Sequence, residues 1–312
     1  MSSNPRIVRA DLPDWSDLRY FLEVARTRSH TAAARRLHVE HTTVSRRLQR
    51  LALGVGRPLF ERARDGWALT DAGRLLLQHA ESMEAAALAA AEQLTGEAHA
   101  ARGTVRVGVP EVFGTLVVTP RLPTLLAEHP DLQVELLLLP RTPSLAAREA
   151  DLVVAVEPPR TGRYRVEQLA LLRYELCAAP EYLRDHAPIR SRADLAAHRF
   201  VDYVQDYLLS DSLRYLDELG LKPQRAFTAT GMLAQFQAIR CGLGLGMLAR
   251  YLLLPDCGLV RVLPDELWVE RKLWLAAPTD ILALRRVRVV WDFLHRIANQ
   301  EPALFGGPLP QR

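Results

Sequence analysis

The sequence predicts a small all-α module at the N-terminus, a long linker helix, and a C-terminal α/β body built as two lobes. Three observations carry that reading. Two short arginine-rich helices lie side by side between residues 31 and 53, and a hairpin follows them. Next comes an alanine- and leucine-rich helix whose apolar residues alternate in spacings of four and three. From Gly103 onward, apolar strand-like runs take turns with helical periods. The 312 residues suffice for two or three domains.

The first helix is read from "DLRYFLEVARTR" (17–28), where Leu18, Phe21, Leu22 and Ala25 share one face. Ser29 is placed to cap a short second helix, "TAAARRL". "HVE" is long enough only for a turn. The third helix spans about His41 to Leu53, with Val44, Leu48 and Leu51 facing inward. Its outer face carries Thr42, Ser45, Arg46 and Gln49, with His41, Thr43, Arg47 and Arg50 beside them. Two short helices joined by a tight turn, the second polar and basic outward, make a helix-turn-helix. In "LFERARDGWALT" (59–70), two extended runs flank Asp65-Gly66, a tight-hairpin pair. That hairpin is a wing carrying Arg62 and Arg64.

The charge supports the same view. Residues 15 to 75 hold twelve arginines, no lysine and six acidic residues, a net of about +6 against +4 for the whole chain. A compact basic module on a near-neutral body points to a polyanionic partner. Phosphates attract arginine and accept hydrogen bonds from Thr and Ser; base edges in the major groove are read by Arg, Gln, His or Thr. The candidate DNA-binding residues are therefore Thr31, His41, Thr42, Thr43, Ser45, Arg46, Gln49, Arg50, Arg62 and Arg64.

"TDAGRLLLQHAESMEAAALAAAEQL" starts the long helix, with Thr70 as its N-cap. Leu76, Ala80, Met83, Ala87, Ala90 and Leu94 line up as a coiled-coil seam that would pair two chains. The body opens with the strand "GTVRVGV", the loop "PEVFG" and the helix "TPRLPTLLAEHP". The strand "LQVELLLLP", a short helix near 144–148 and the strand "ADLVVAVEP" come next. The pattern resumes with "VEQLALLRYELCAAPEYL", "HRFVDY", a helix near 211–219, a strand near 226–230, "MLAQFQAIRCGLG" and "LGMLA". "KLWLAAP" and "RRVRVVWDFLHRI" return to the first lobe. Each lobe is expected to have a mostly parallel sheet, with a ligand cleft between lobes at strand ends.

At the N-terminus, "LRYFLEVA", "AAARRLHV" followed by "TTVSRRLQRL", "G-x-P-LFER" and "LTDAG" resemble the LysR-type transcriptional regulators in order and spacing. In the body, "G-x-VRV", "READLVVAV", "AAPEYL" and "AIRCGLGLGML" resemble that family's effector domain, so the likeness covers nearly the whole chain. The resemblance implies a winged helix-turn-helix DNA-binding domain at 14–73 and a dimerising linker helix at 70–100. It implies a periplasmic-binding-protein-like effector domain at 103–300, with lobe I at about 103–161 and 271–300 and lobe II at about 162–270. Implied partners are double-stranded operator DNA, a small-molecule effector, a second and then a third and fourth copy of the chain, and RNA polymerase. Effector contacts are implied at Pro110, Glu111, Phe113 and Gly114, at Arg141 and Thr142, at Asp202 and Tyr203, and at Thr230, Gly231 and Met232. The start of the last helix is suited to a carboxylate or phosphate. Two departures stand out. Glu40 replaces a frequent serine and is a poorer cap; "ALGV" (52–55) brings Gly54, expected to fray the helix end.

Other functions find little support. The chain has no Walker loop, no dinucleotide fingerprint after a strand and no nucleophile-elbow serine, so neither an enzyme nor a cofactor is expected. "GLGLGML" follows a helix and leads into a strand, the wrong order for a dinucleotide loop. No histidines pair at metal spacing; His38 and His41 merely flank the turn. A free-standing solute-binding protein would need a signal peptide, and "MSSNPRIVRADLPDW" has no apolar core; residues before Asp14 are expected to form a loose tail. No apolar run spans a membrane. Cys177, Cys241 and Cys257 lie far apart, which suits a reducing cytoplasm rather than a disulfide or zinc framework. The alternative is a cysteine-based redox regulator of the same fold. Against it, Cys177 in a strand and Cys241 at an apolar helix end look like core residues.

Overall fold

The computed structural model describes residues 14–63, 66–95, 101–138, 145, 149–159, 162–208 and 210–306. The chain divides into two compact units, Met1–Ala90 and Ala91–Arg312. The expected N-terminal tail and the short helix near 144–148 lie outside the described residues, apart from Leu145.

The first unit is a three-helix module with a hairpin. Helix α1 (Trp15–Thr27) starts at Asp14, whose carboxylate accepts from Ser16 N–H at 2.9 Å. Helix α2 (His30–Leu37) is capped by Ser29, which accepts from Ala32 N–H. His38 then takes a left-handed conformation (φ 54°) and closes the turn. Helix α3 (His41–Val55) begins at Glu40 without a side-chain cap bond, as the departure from serine predicts. It does not fray at Gly54. It runs on to Val55 and stops at Gly56 (φ 73°), where a left-handed residue suits a C-cap. Strands β1 (Phe60–Ala63) and β2 (Gly66–Leu69) pair antiparallel as the wing.

Gly66 anchors that wing. Its φ is +116°, and a β-carbon there would stand 2.4 Å from the Arg28 carbonyl oxygen. The next amide, Trp67 N–H, donates to that same carbonyl at 2.9 Å. Helix α4 (Asp71–Thr95) follows, with Thr70 Oγ1 accepting from Gly73 N–H at 3.0 Å. The core of the module gathers Leu18, Phe21 and Leu22 of α1, Ala33 and Ala34 of α2, and Val44, Leu48 and Leu51 of α3. Burying these aliphatic and aromatic side chains is worth about 1.5–3 kcal/mol for each of the larger ones.

The second unit is α/β. Strand β3 (Gly103–Gly108) leads through Pro110 into α5 (Glu111–Phe113), a π turn and a 3₁₀ turn, and then α6 (Leu122–Glu128). The segment "PEVFG", expected as a loop, is thus helical. Gly114 N–H donates to the Pro110 carbonyl, which closes its first turn. Strands β4 (Leu132–Leu137) and β5 (Leu152–Ala155) flank β3 in parallel. Strand β6 (Tyr164–Ala178) is long and leads into α7 (Pro180–Asp185), β7 (Arg199–Tyr203), α8 (Tyr215–Glu218), β8 (Gln224–Ala229), α9 (Met232–Arg240), β9 (Gly246–Ala249) and β10 (Val260–Arg261). Strand β11 (Trp268–Pro278) returns beside β6, and α10 (Arg285–Gln300) buries Val287, Trp291, Phe293, Leu294 and Ile297.

The main sheet has the order β10-β6-β11-β5-β3-β4, with β9 also on β6. It is mixed rather than mostly parallel: β6 pairs antiparallel with β9, β10 and β11, and β11 pairs antiparallel with β5. The reason is the return of β11 directly beside β6, where an αβ crossover would have been needed for parallel pairing. β7 and β8 form a separate parallel pair. Glu175, 0% exposed, is held by Arg250 at 2.8 Å, with Arg173 and Arg261 further out at 3.4 and 3.5 Å. Among the described residues no helix is long and apolar enough to cross a membrane.

Candidate functional site

The basic face of the first unit is built by α3. Val44, Leu48 and Leu51 fix its inner side in the core, so helical geometry turns Thr42, Arg46 and Gln49 outward, where all three are exposed with His41. Thr43 and Ser45 are half-buried, and Thr31 is exposed at the start of α2. Among the described residues Arg46 has no ion-pair partner, in contrast to Arg36, Arg47 and Arg50. Arg64 lies outside the described residues.

A chain of contacts runs from this helix to the wing. Ser45 Oγ lies 3.1 Å from His30 Nδ1. The His30 ring stacks flat on Trp67, with centroids 4.7 Å apart and planes 3° from parallel. The Arg62 guanidinium also sits over Trp67, 5.0 Å from its ring centroid. Burial, then the neighbouring Arg62 and His41 charges, push the His30 imidazole below its ordinary value. Sequence reasoning misses His30 and Trp67; an N-terminal helix position and a hairpin aromatic give no local sign of stacking.

Arg50 is differently placed from Arg46. Its Nη2 donates to Asp14 at 2.8 Å and to Asp17 at 2.7 Å. Arg47 adds a bond to Asp17 at 3.1 Å. Arg50 is therefore a strut between α3 and α1 as well as part of the basic face.

The linker helix divides the expected seam residues. Ala80 is fully buried in the module's own core, and Leu76 packs against that core, so these two face inward within one chain. Gly73, a turn earlier, lets the helix approach the Leu59 carbonyl, and this close approach sets which side is covered. Met83, Ala87 and Ala90 are exposed, together with Leu75 and Ala86. The exposed apolar side chains of α4 thus include Leu75 but not Leu76. The Leu94 side chain lies outside the described residues. Arg26 of α1 grips Glu84 of α4 with both nitrogens, one at 3.2 Å, and fastens the helix to the module.

In the second unit a cavity of about 380 Å³ opens between the lobes. Its walls come from the carboxyl ends of β3, β5 and β7 and the start of α9, the positions where open α/β sheets take ligands. Of the expected contacts, Pro110, Glu111, Phe113, Tyr203, Thr230, Gly231 and Met232 line it. Gly114 does not. It is buried beneath the wall, against Val109 and Leu138, which do line the cavity. Asp202 does not either: its side chain alternates to the opposite face of β7 from Tyr203 and accepts from Arg225 at 2.8 Å. Arg141 and Thr142 lie outside the described residues.

Several lining residues escape the sequence reading. Glu157 follows β5, and the Ser210 hydroxyl donates to it. The end of β5 is legible as a ligand position; Ser210 is not. Tyr174 and Tyr251 complete an aromatic wall with Phe113 and Tyr203. Behind it Tyr215 stacks on Tyr174 with centroids 4.5 Å apart. Burial pushes the Tyr203 and Tyr251 hydroxyls well above their ordinary value, so both stay protonated. Among the described residues no cluster of His, Cys, Asp or Glu is arranged to hold a metal ion.

The thiols divide. Cys177 is buried, and burial first, then Glu175, raises its thiol well above the usual range. Cys241, expected in the core, is exposed, because α9 ends at Arg240 and the chain turns outward there. Cys257 is half-buried. The buried Cys177 thiol is thus the reverse of a reactive sensor, which needs a lowered value.

Residues 15–74 match the family model of bacterial regulatory helix-turn-helix proteins of the lysR family, and residues 98–298 match the LysR substrate binding domain. A probable HTH-type transcriptional regulator of Klebsiella pneumoniae, LtrA, is 26% identical over 301 residues, covering 93% of this chain and 96% of the relative. Among solved structures, ArgP from Mycobacterium tuberculosis superposes with a TM-score of 0.67 at 22% identity, over 95% of this chain and 98% of that one. A full-length OxyR variant from Pseudomonas aeruginosa gives 0.67 at 17% identity, over 91% and 97%.

Proposed function

Since this chain belongs to the LysR family of transcriptional regulators, we propose that α3 reads duplex DNA in a major groove and that the inter-lobe cavity binds a small-molecule effector. The observation that carries the first part is the outer face of α3. Arg46 is exposed and unpaired among the described residues, with Thr42 and Gln49 beside it, on a helix held rigidly from behind. Those side chains are suited to base edges, and Thr31, His41, Thr43 and Ser45 to phosphates or the groove floor. Arg62, and Arg64 by its place in the sequence, extend the contact through the wing.

The domain assignment that goes with this reading is DNA binding by 14–73, dimerisation by 70–100 and effector binding by 103–300. Leu75, Met83, Ala86, Ala87 and Ala90 give α4 an exposed apolar stripe that a second copy would cover. Two modules would then meet a two-fold-symmetric site. Tetramer formation, contact with RNA polymerase, a cytoplasmic setting and the absence of enzymatic activity complete the reading as family expectations. An effector in the cavity acts by favouring one arrangement of lobes or subunits over another.

The deciding experiment is binding of the full chain to its own upstream intergenic DNA across a salt series, against a scrambled duplex. A preference for the native duplex and a steep fall with salt support a sequence-specific regulator. Equal binding to both, at a site known to lie in that duplex, sinks the base-reading role of α3.

A further inference from the structure

The charge of the inter-lobe cavity runs against the composition of the chain. Lysine and arginine number 40 in the sequence, yet none of the described residues lining the cavity is Lys, Arg or His. Its charged groups are two carboxylates, Glu111 and Glu157. Arg271, which sits over the Tyr215 ring behind the aromatic wall, is engaged by Glu218 and by the Ser212 carbonyl. The interior therefore offers an anionic ligand no cationic partner among the described residues, and two like charges to meet.

The placement of Glu111 sharpens this. Gly231 is the N-cap of the nine-residue helix α9 and makes no side-chain cap bond. A helix N-terminus of that kind favours an anion. Glu111 Oε2 stands 3.5 Å from the position a β-carbon on Gly231 would take. A carboxylate of the protein thus already stands beside the helix end, where a ligand carboxylate or phosphate would have to share the place with it.

The wall opposite is aromatic with polar ends. Tyr203 and Tyr251 are 8% and 4% exposed and line the cavity. Each therefore presents a ring and a hydroxyl to the cavity. Aromatic faces and carboxylates together are what a positively charged head on an apolar body requires.

We propose that the cavity selects an organic cation: a protonated amine or guanidine on a small apolar or aromatic body. The head goes to Glu111 and Glu157, and the body lies against Tyr203, Tyr251 and Phe113. A volume of about 380 Å³ suits a metabolite-sized ligand. This rests on the reading of the cavity as the effector site and adds the charge class.

The test compares three molecules on one skeleton with the full chain, by calorimetry and thermal shift: 2-phenylethylamine, 2-phenylethanol and phenylacetate. The amine is expected to bind about tenfold tighter than the alcohol, one charge-assisted contact's worth, and phenylacetate weakest. In the Glu111→Gln/Glu157→Gln double variant the amine should lose that advantage. The proposal is overturned if phenylacetate binds best, if alcohol and amine bind alike, if the amine keeps its advantage in the double variant, or if none binds at millimolar concentration. Thr230→Trp separates the two levels. It puts an indole at the cavity wall, so it should abolish binding of any probe seated there. Binding that survives Thr230→Trp removes the cavity as the effector site; phenylacetate binding that Thr230→Trp abolishes removes only the cation preference.

Discussion

Arg50 Nε lies 2.5 Å from Asp17 Oδ2, and this bond joins the proposed recognition helix to the first turn of α1. Asp17 is only 2% exposed, so its charge depends on Arg50 and Arg47 for compensation. Asp17→Ala removes the acceptor but leaves both arginines partly in water. The expected loss of stability is about 1–3 kcal/mol, read as a lower urea midpoint of the first unit. An unchanged midpoint would show that the bond only orients α3.

Arg46 is the opposite case, an exposed guanidinium with no structural duty among the described residues. Arg46→Ala should leave thermal stability unchanged and weaken operator binding by about 1–3 kcal/mol. Affinity for a scrambled duplex tells base reading from phosphate contact. If both duplexes lose equally, Arg46 touches the backbone only.

His30 ties pH to the wing. Its folded value lies below the ordinary 6.5, chiefly through burial and then through Arg62 and His41. The unfolded chain therefore takes up the proton first as pH falls. The stabilisation is complete above 6.5 and is lost on acidification toward the lower folded value. Proton NMR titration of the His30 ring should give a midpoint below 6.5. Protection factors of the wing amides, corrected for the intrinsic exchange rate at each pH, should fall over the same interval, and a midpoint at or above 6.5 would remove His30 as the acid-sensitive element.

Two substitutions on one helix should behave in opposite ways. Met83 is 48% exposed, and Met83→Glu should leave the monomer folded but dissociate the dimer in sedimentation velocity. Ala80 is 0% exposed in the module core, and Ala80→Glu should unfold the module itself. Dimers that persist in Met83→Glu would put the interface on another face of α4.

How much is legible depends on how local the cause is. The three helices of the first unit and the caps at Ser29 and Thr70 are set by period and by side chains one to three residues away. The expected seam mixes Leu76 and Ala80, which the module itself covers, with exposed Met83, Ala87 and Ala90, because coiled-coil spacing does not reveal which side of a helix its own chain already covers. "PEVFG" reads as a loop because its helical hydrogen bond begins at a proline carbonyl, which proline provides as well as any residue. In the cavity, residues at the ends of β3 and β7 and at the start of α9 follow from a rule about strand ends. Tyr174 and Tyr251 come from within β6 and the turn after β9, which only the mixed sheet brings to one wall.

Strands β6 and β11 run antiparallel to each other between the two lobes, paired from Tyr164–Pro278 at one end to Glu175–Trp268 at the other. Their ladder slips between Leu273 and Trp274, and Leu273 lines the cavity. Paired strands carry a right-handed twist, and a bulge bends the strand and increases that twist locally. The two strands thus join the lobes as one twisted ribbon rather than as a single flexible hinge segment. A ligand in the proposed effector cavity would therefore meet the ladder at its one break in register, where the local twist is already altered.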